Sequence, residues 1–191
     1  MNKLVCIVGM CGSGKSIVAD EFVKAGYGFF RFGQITLDEC IKRGDASEKM
    51  QKEIREGFRA KHGMAAYAIL NMPKIEELLQ KGNTIGDGLY SWAEYKVLKE
   101  KYGENFIVIA IYSPPEIRYA RLEKRFPDKN DKDLRGHHFT REEAKSRDYV
   151  EIENSDKGGP IAMADYTIVN IGGMDDVINK TKEIIKELET K

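Results

Sequence analysis

A glycine-rich segment near the amino terminus carries the residues best suited to bind phosphate. Gly9 and Gly14 enclose four residues and are followed by Lys15 and Ser16. In this pattern the backbone N–H groups face a phosphate, the lysine reaches the β- and γ-phosphates, and the serine hydroxyl ligates Mg²⁺. The alternative is a flexible turn with a surface lysine. The pattern predicts a nucleoside triphosphate site formed by Gly9, Met10, Cys11, Gly12, Ser13, Gly14, Lys15, Ser16 and Ile17.

Arginines form a second group of candidate residues. Arg118, Arg121 and Arg125 are spaced three and four residues apart, so a helix would bring them to one face. Arginine binds phosphate through a planar fork and stays charged. A phosphate-contacting face and a solvated basic face are both open interpretations. Further arginines lie in or just after a polar stretch that we expect to form a lid over a transferring phosphoryl group: Arg135, Arg141 and Arg147.

Asp87 ends a short apolar run, at a point where a carboxylate could hold Mg²⁺ through water or accept a proton from a hydroxyl. A turn residue in "GDG" is the alternative. His137 and His138 have no partners at metal-ligand spacing and are expected to be exposed loop residues. We therefore expect Ser16 to be the metal ligand and the catalytic residues to be Lys15, Asp87, Arg121, Arg125 and Arg141.

Strand-like and helical patterns alternate along the chain. The run "KLVCIV" before the glycine segment and the run "NFIVIAIYS" are typical of buried parallel strands. Further strands are predicted at "YGFFRFG", "NTIGDG" and "ADYTIVNIG". Two or three helices are expected from Ile35 to about Gln80, and helix N-caps at Ser91 and Thr140. The alternation predicts an α/β fold with a parallel sheet, helices on both faces and ligands at the carboxyl ends of the strands.

Composition restricts the class of protein. The chain has 191 residues, which fits a single domain, and its 31 basic and 31 acidic side chains give no net charge. This balance argues against nucleic-acid or membrane partners, and no apolar run approaches membrane-spanning length. The sequence starts with a strand and shows no targeting leader. Three cysteines without pairing or metal spacing fit a reducing cytoplasm. We expect a cytoplasmic monomer or homodimer.

The ordered set of motifs resembles the nucleoside-monophosphate-kinase-like branch of P-loop proteins. It is close to adenylate kinases and dephospho-CoA kinases, and closer to archaeal-type dephospho-CoA-kinase-like proteins. The resemblance covers nearly the whole chain and implies a five-stranded parallel sheet, Mg²⁺ with ATP as phosphoryl donor, a helical acceptor-binding insertion at about 33–80 and a lid at about 126–147. It rests on "GMCGSGKS", "FRFGQ", "GDGLYS", "SPPEIRYARLEKR", "TREEAKSRDYVE" and "ADYTIVN", of which only the first is specific alone.

Two positions depart from the pattern of these relatives. Gln34 stands where they often carry an aspartate, and Tyr90 where they commonly carry an arginine. Glutamine cannot take a proton, which counts against dephospho-CoA as the acceptor, and tyrosine removes an acceptor-side cation. We expect an acceptor site at Gln34, Tyr90 and Arg59. We also expect weak activity on AMP and dephospho-CoA, with AMP use improved by Tyr90→Arg.

The leading hypothesis is an ATP-dependent small-molecule kinase that transfers the γ-phosphoryl group to a nucleotide-like acceptor. The alternatives are a dephospho-CoA kinase and a slow nucleotide-hydrolysing switch or binding module. A guanine-nucleotide switch is disfavoured because "NDKD" at 130–133 has the wrong order for an Asn-Lys-x-Asp motif. A slow ATPase stays open.

Overall fold

Five parallel strands form one sheet in the computed structural model of the protein, which describes residues 2–125 and 138–190. The strand order is β2-β3-β1-β4-β5, so the first strand lies in the middle of the sheet. The predicted five-stranded parallel sheet is confirmed. The strands are β1 (Leu4–Val8), β2 (Gly28–Arg31), β3 (Thr84–Asp87), β4 (Phe106–Tyr112) and β5 (Tyr166–Val169).

Helices connect the strands. Two helices begin with capping boxes, in which Ser91 pairs with Glu94 and Thr140 with Glu143. Three helices fill the segment from Ile35 to about Gln80, where two or three were expected. The short helix after α7 was not predicted. The helices are α1 (Lys15–Lys24), α2 (Gln34–Arg43), α3 (Glu48–His62), α4 (Ala66–Lys81), α5 (Trp92–Tyr102), α6 (Pro115–Glu123), α7 (Arg141–Ser155), α8 (Gly158–Ala162) and α9 (Met174–Thr190).

The sheet separates two hydrophobic clusters, and β1 shows how the sequence divides between them. Side chains alternate along a strand, so Leu4, Cys6 and Val8 contribute to the cluster that also contains residues of α4 and α5. Val5 and Ile7 contribute to the cluster that contains residues of α1 and α9. Every residue of β1 is fully buried, as a central parallel strand requires. This burial on both faces fixes the strand whose end carries the glycine-rich segment.

The carboxyl ends of the strands bring the candidate residues to one edge of the sheet. Ile7 of β1 is paired in register with Asp87 of β3, and Val8 with Ala110 of β4. The expected lid falls partly outside the described residues, as do Arg135 and His137. His138 is exposed. In the described ranges, no helix combines the length and apolar character needed to cross a membrane.

Candidate active site

The glycine loop, residues 9–14, joins β1 to α1 in a shape that depends on its glycines. Gly12 and Gly14 have φ angles of 79° and 98°, in the left-handed region that glycine adopts without strain. A Cβ atom on Gly14 would lie 2.4 Å from the Nδ2 atom of Asn170. That same amide nitrogen donates a hydrogen bond to the carbonyl of Ser13 at 2.8 Å. The end of β5 therefore supports the loop.

Lys15 is the first residue of α1, and Ser16 is the second. The Lys15 Nζ atom donates to the carbonyl oxygens of Gly9 at 2.9 Å and Met10 at 3.1 Å, so the ammonium lies against the loop. Burial lowers the pKa of Lys15, the nearby charge of Lys157 adds to this, and other groups, carboxylates among them, oppose it. A helix N-terminus, a glycine loop and a lysine together form a site for phosphate.

Asp87 lies at the end of β3, beside β1. Its Oδ1 atom is buried and has no hydrogen-bond partner among the described residues. Buried carboxylate oxygens usually have a partner, which Mg²⁺ through water or a substrate hydroxyl would supply here. In the described ranges, no group of three or more His, Cys, Asp or Glu side chains is arranged to hold a metal. Ser16 with Asp87 therefore fits a Mg²⁺ ion that is held mainly by substrate phosphates.

The three arginines of α6 and its end have different environments. Arg118 is buried and donates to both carboxylate oxygens of Asp148, with 2.9 Å between Nη1 and Oδ1. It also donates to the carbonyls of Ser113 and Cys11. Of the three arginines expected to share a helical face, Arg118 fits neither open interpretation, because it is buried and its donors are used inside the protein. Its contact with Cys11 makes it a support for the glycine loop.

Arg121 lies on the same side as the glycine loop. Its terminal nitrogens donate to Ser113 Oγ at 3.1 Å and to Asn170 Oδ1 at 3.0 Å. Burial lowers the pKa of Arg121, and the positive charge of Arg125 lowers it further. Two neighbouring guanidinium groups near the support of the glycine loop form a cationic region at the carboxyl edge of the sheet. Arg125 follows the end of α6, where the described part of the chain is interrupted.

A cavity of about 570 Å³ opens beside this edge. We name it the arginine-lined cavity, because its wall contains Arg31, Arg55, Arg59 and Arg147 together with Tyr67, Tyr90 and Phe139. Arg59 and Tyr90 were predicted from the sequence as acceptor-binding residues, whereas Arg31 and Arg55 were missed. Arg55 had a usable signal, since it lies four residues before Arg59 and therefore shares its helical face.

The surroundings of Tyr90 correct the expectation that this position lacks a cation. The guanidinium of Arg59 lies 5.4 Å from the centre of the Tyr90 ring, and the Nζ atom of Lys157 lies 4.5 Å from it. Both distances allow a cation–π interaction. Gln34 also differs from expectation: its amide donates to Asp38 Oδ1 at 3.0 Å, and it does not line the arginine-lined cavity.

Two buried carboxylates on the same side were not predicted as site residues. Glu94 accepts hydrogen bonds from the backbone N–H groups of Tyr90 at 2.9 Å and Ser91 at 3.2 Å. Burial raises the pKa of Glu94 to about 7. Glu151 of α7 accepts hydrogen bonds from Arg147 and Lys157. The capping pattern Ser91–Glu94 was a signal in the sequence that could have drawn attention to Glu94. The helical period of α7 gave no such signal for Glu151.

The two arginines of α7 lie on different faces of that helix. Arg147 lines the arginine-lined cavity, whereas Arg141 lines an outer cavity of about 740 Å³ between α6 and α7. Arg141 forms an ion pair with Glu116 and lies 5.7 Å from the centre of the Tyr119 ring. The structure therefore does not bring Arg141 together with the other predicted catalytic residues. Arg147, and not Arg141, faces the arginine-lined cavity.

The sheet order, the glycine loop and the lysine at the start of α1 define a P-loop kinase-like protein. A family model described as an AAA domain matches residues 5–153. The chain belongs to the UPF0200 family. It is 31% identical to a UPF0200 protein of Thermococcus kodakarensis, over 98% of this chain and 99% of that protein. It is 35% identical to one of Pyrococcus abyssi, over 98% of this chain and 96% of that protein.

Two solved structures have a similar fold over nearly the whole chain. TT1252 from Thermus thermophilus matches with a TM-score of 0.61 and 19% identity, over 98% of each chain. A shikimate kinase from Acinetobacter baumannii, in complex with shikimate, matches with a TM-score of 0.56 and 19% identity. That match covers 100% of this chain and 94% of the other. These matches show the fold, an α/β fold of the kind found in P-loop kinases.

Proposed function

We propose that the protein is an ATP-dependent kinase that transfers the γ-phosphoryl group to a small, nucleotide-like acceptor with an anionic group. One observation carries the proposal. The arginine-lined cavity adjoins the glycine loop through the segment Asp87–Tyr90, since Gly88 and Tyr90 line the cavity and Asp87 is paired with β1. A donor site and a cationic acceptor site would therefore share one edge of the sheet.

The donor side would bind ATP through the backbone of the glycine loop and the ammonium of Lys15. Ser16 and, through water, Asp87 would hold Mg²⁺, which neutralises charge on the phosphates when bound. Arg121 and Arg125 add positive charge near the support of the glycine loop. Burial and the charge of Lys157 both disfavour the charged form of Lys15. The negative charge of a bound phosphate would favour it again.

The acceptor side would bind an acid through the guanidinium groups of the arginine-lined cavity. Arg59 lies over two aromatic rings, 6.0 Å from the centre of Tyr67 and 5.4 Å from that of Tyr90. Such rings contact flat groups, and arginine forks bind phosphate or carboxylate in a bidentate way. An acceptor with a ring and a phosphate or carboxylate matches both features, which supports a nucleotide-like compound.

The reaction would be a direct displacement at phosphorus. The acceptor oxygen forms a bond to the γ-phosphorus, the bond from phosphorus to the β–γ bridging oxygen breaks, and ADP leaves. If the acceptor oxygen belongs to a hydroxyl, Asp87 would accept its proton, which the buried Oδ1 atom without a hydrogen-bond partner among the described residues supports. If it belongs to an ionised phosphate, no proton moves.

An acceptor screen tests the proposal. The purified protein would be incubated with Mg-ATP and each of AMP, CMP, UMP, dephospho-CoA, nucleosides, shikimate and gluconate, and ADP formation would be followed beside product mass. We expect acidic acceptors to raise ADP formation above the rate without acceptor. A rate that no acceptor raises would favour a slow nucleotide-hydrolysing module, and efficient use of dephospho-CoA alone would favour a dephospho-CoA kinase.

The remaining expectations belong to the same proposal. Free cysteines at positions 6, 11 and 40 and a neutral net charge support a cytoplasmic protein without nucleic-acid or membrane partners. A monomer or homodimer, the helical acceptor-binding insertion and the lid stay predictions. Sedimentation with and without Mg-ADP would test the oligomeric state.

A further inference from the structure

A buried carboxylate on α7 is bound to two cations. Lys157, which directly precedes α8, donates from Nζ to Glu151 Oε2 at 2.6 Å. The other oxygen of Glu151 accepts from the Nε atom of Arg147 at 2.9 Å. The side chains of Lys157 and Glu151 are only 5% and 2% exposed, whereas that of Arg147 is 44% exposed. The three residues form a chain from the protein interior to the arginine-lined cavity, which we name the triplet.

The hydrogen bond to Glu151 uses the inner nitrogen of the Arg147 guanidinium. Among the described residues, the terminal nitrogens of Arg147 make no hydrogen bond, and the side chain lines the arginine-lined cavity. The ring of Phe139, 5.3 Å from the guanidinium carbon, contacts it from another side. A fork held at its base, with its terminal donors available, is arranged to bind an anion in a bidentate way.

Lys157 supplies positive charge that keeps Glu151 ionised, and it occupies one of the two Glu151 oxygens, which leaves the other for Arg147. Burial alone would raise the pKa of Glu151, but the charges of Lys157 and Arg147 together lower it below its ordinary value. Without Lys157, one buried oxygen of Glu151 would lose its partner. The carboxylate would then engage the guanidinium of Arg147 with both oxygens, because a buried charge pairs with the nearest donors. The terminal nitrogens would be withdrawn from the cavity.

We propose that Lys157 is a positioning residue for the acceptor: it fixes Glu151, and Glu151 in turn presents the terminal nitrogens of Arg147 to the anionic group of the acceptor. The inference rests on the proposed function in assigning the arginine-lined cavity to the acceptor. Lys157 does not line that cavity itself. Its position 4.5 Å from the centre of the Tyr90 ring also links the triplet to the segment that follows Asp87.

Arginine-selective chemical modification measures how accessible the terminal nitrogens of Arg147 are, and it needs no substrate. Phenylglyoxal reacts with terminal guanidinium nitrogens, and peptide mass spectrometry gives the rate at Arg147. We expect Lys157→Met to slow modification of Arg147 by about tenfold, the effect of tying up a bidentate fork. In the double variant Lys157→Met/Glu151→Gln, an amide replaces the carboxylate and releases the fork, so the rate should return to within about threefold of the natural protein.

Binding of AMP and of Mg-ADP, measured by calorimetry, tests the direction of the effect. Lys157→Met should weaken AMP binding about tenfold and change Mg-ADP binding less than about twofold, and the double variant should recover AMP binding. Lys145→Met, an exposed lysine on α7, is the matched control. Thermal unfolding of each variant would show that the fold is kept, and the double variant removes the unpaired buried carboxylate that could destabilise the single one.

Several outcomes would overturn the proposal. Unchanged modification of Arg147 in Lys157→Met would show that Lys157 does not set its position, and equal losses of AMP and Mg-ADP binding would place its effect on the donor side. The proposed function fails separately. If AMP gives no protection of Arg147 from phenylglyoxal in the natural protein, the cavity does not bind that acceptor, while the rates in the two variants still decide the role of Lys157.

Discussion

The donor and acceptor sides of the candidate active site are built in different ways. The glycine loop is formed by consecutive residues, and its shape follows from backbone conformations at Gly12 and Gly14. The arginine-lined cavity draws its wall from β2, α2, α3, α4, α7 and the loop after β3, over residues 31–151. A short pattern can therefore encode the donor side, whereas the acceptor side exists only after the chain has folded. Acceptor specificity would lie in the part that no short pattern encodes.

The largest expected effect is on the donor side. We predict that Lys15→Ala lowers nucleotide turnover by roughly a thousandfold, because it removes the ammonium that meets the phosphate charge. The thermal unfolding midpoint should hardly change, since, among the described residues, the Lys15 ammonium hydrogen-bonds only two backbone carbonyls of the glycine loop, those of Gly9 and Met10. Steady-state ADP formation measures the effect, with the exposed Lys24→Ala on the same helix as control. Turnover equal to that of the natural protein would remove the phosphate-binding interpretation.

The next effect concerns the arginines at the end of α6. Arg121→Ala should lower kcat/KM by roughly a hundredfold while changing the Kd for Mg-ADP only a few-fold, because charge on the transferring group develops during the reaction. A similar but smaller loss is expected for Arg125→Ala. Arg121→Lys keeps the charge without the fork and should fall between.

Stopped-flow turnover and Mg-ADP binding would be measured on the same samples, with the exposed Lys124→Ala as control. If Arg121→Ala weakens Mg-ADP binding as much as it lowers kcat/KM, Arg121 supports the glycine loop through Asn170 and has no separate effect on the rate.

Much of the fold follows from local patterns, and this explains what the sequence could predict. The buried strand β4, the capping boxes of α5 and α7, and the glycine loop are each encoded within a few neighbouring residues. The five residues of α8 include two glycines and a proline and have no helical period. The partner of Arg118 is Asp148, thirty residues away, so a regular arginine spacing on α6 hid a buried ion pair. Lys157 gave no signal either, because its partner Glu151 lies six residues earlier, in α7 and outside any helical spacing.

A buried carboxyl group, Glu94, lies beside the acceptor side, so the free energy of unfolding should depend on pH. Burial raises the pKa of Glu94 to about 7 from an ordinary 4.5. The folded state then keeps a proton that the unfolded chain has released, so the free energy of unfolding falls as pH rises from about 4.5 to about 7. A shift of this size corresponds to a loss on the order of 3 kcal/mol.

Glu94→Gln tests that expectation directly. The glutamine oxygen can still accept the N–H groups of Tyr90 and Ser91, but it does not titrate. The variant should therefore gain stability relative to the natural protein as pH rises through this window. Urea unfolding at several pH values measures it, with Glu104→Gln as the fully exposed control. A difference between variant and natural protein that is the same at pH 4 and pH 8 would contradict the assignment.

A smaller effect is expected from a single cavity arginine, because neighbouring arginines share the anion. Arg59→Met should weaken AMP binding about tenfold, by removing a guanidinium while keeping an apolar stem on the rings of Tyr67 and Tyr90. Mg-ADP binding should stay within about twofold, since Arg59 has no contact with the glycine loop. Lys61→Met, exposed on the same helix, is the control. Loss of Mg-ADP binding in Arg59→Met would show that the two sides are not separate.

The smallest effect is expected at position 90, where the structure reverses the sequence-based expectation that an added arginine improves AMP use. Tyr90 already lies within cation–π distance of Arg59 and Lys157. An arginine there would lose the ring and place a third cation beside two others, so repulsion would offset any gain in anion binding. We predict that Tyr90→Arg leaves kcat/KM for AMP unchanged or lowers it by about twofold, whereas Tyr90→Phe, which keeps the ring, leaves it unchanged. A gain of about tenfold in Tyr90→Arg would show that the acceptor phosphate lies against position 90 and lacks a partner in the natural protein. Arg59 and Lys157 would then act on the donor phosphates and not on the acceptor, and Tyr90 would be in contact with both the donor and the acceptor.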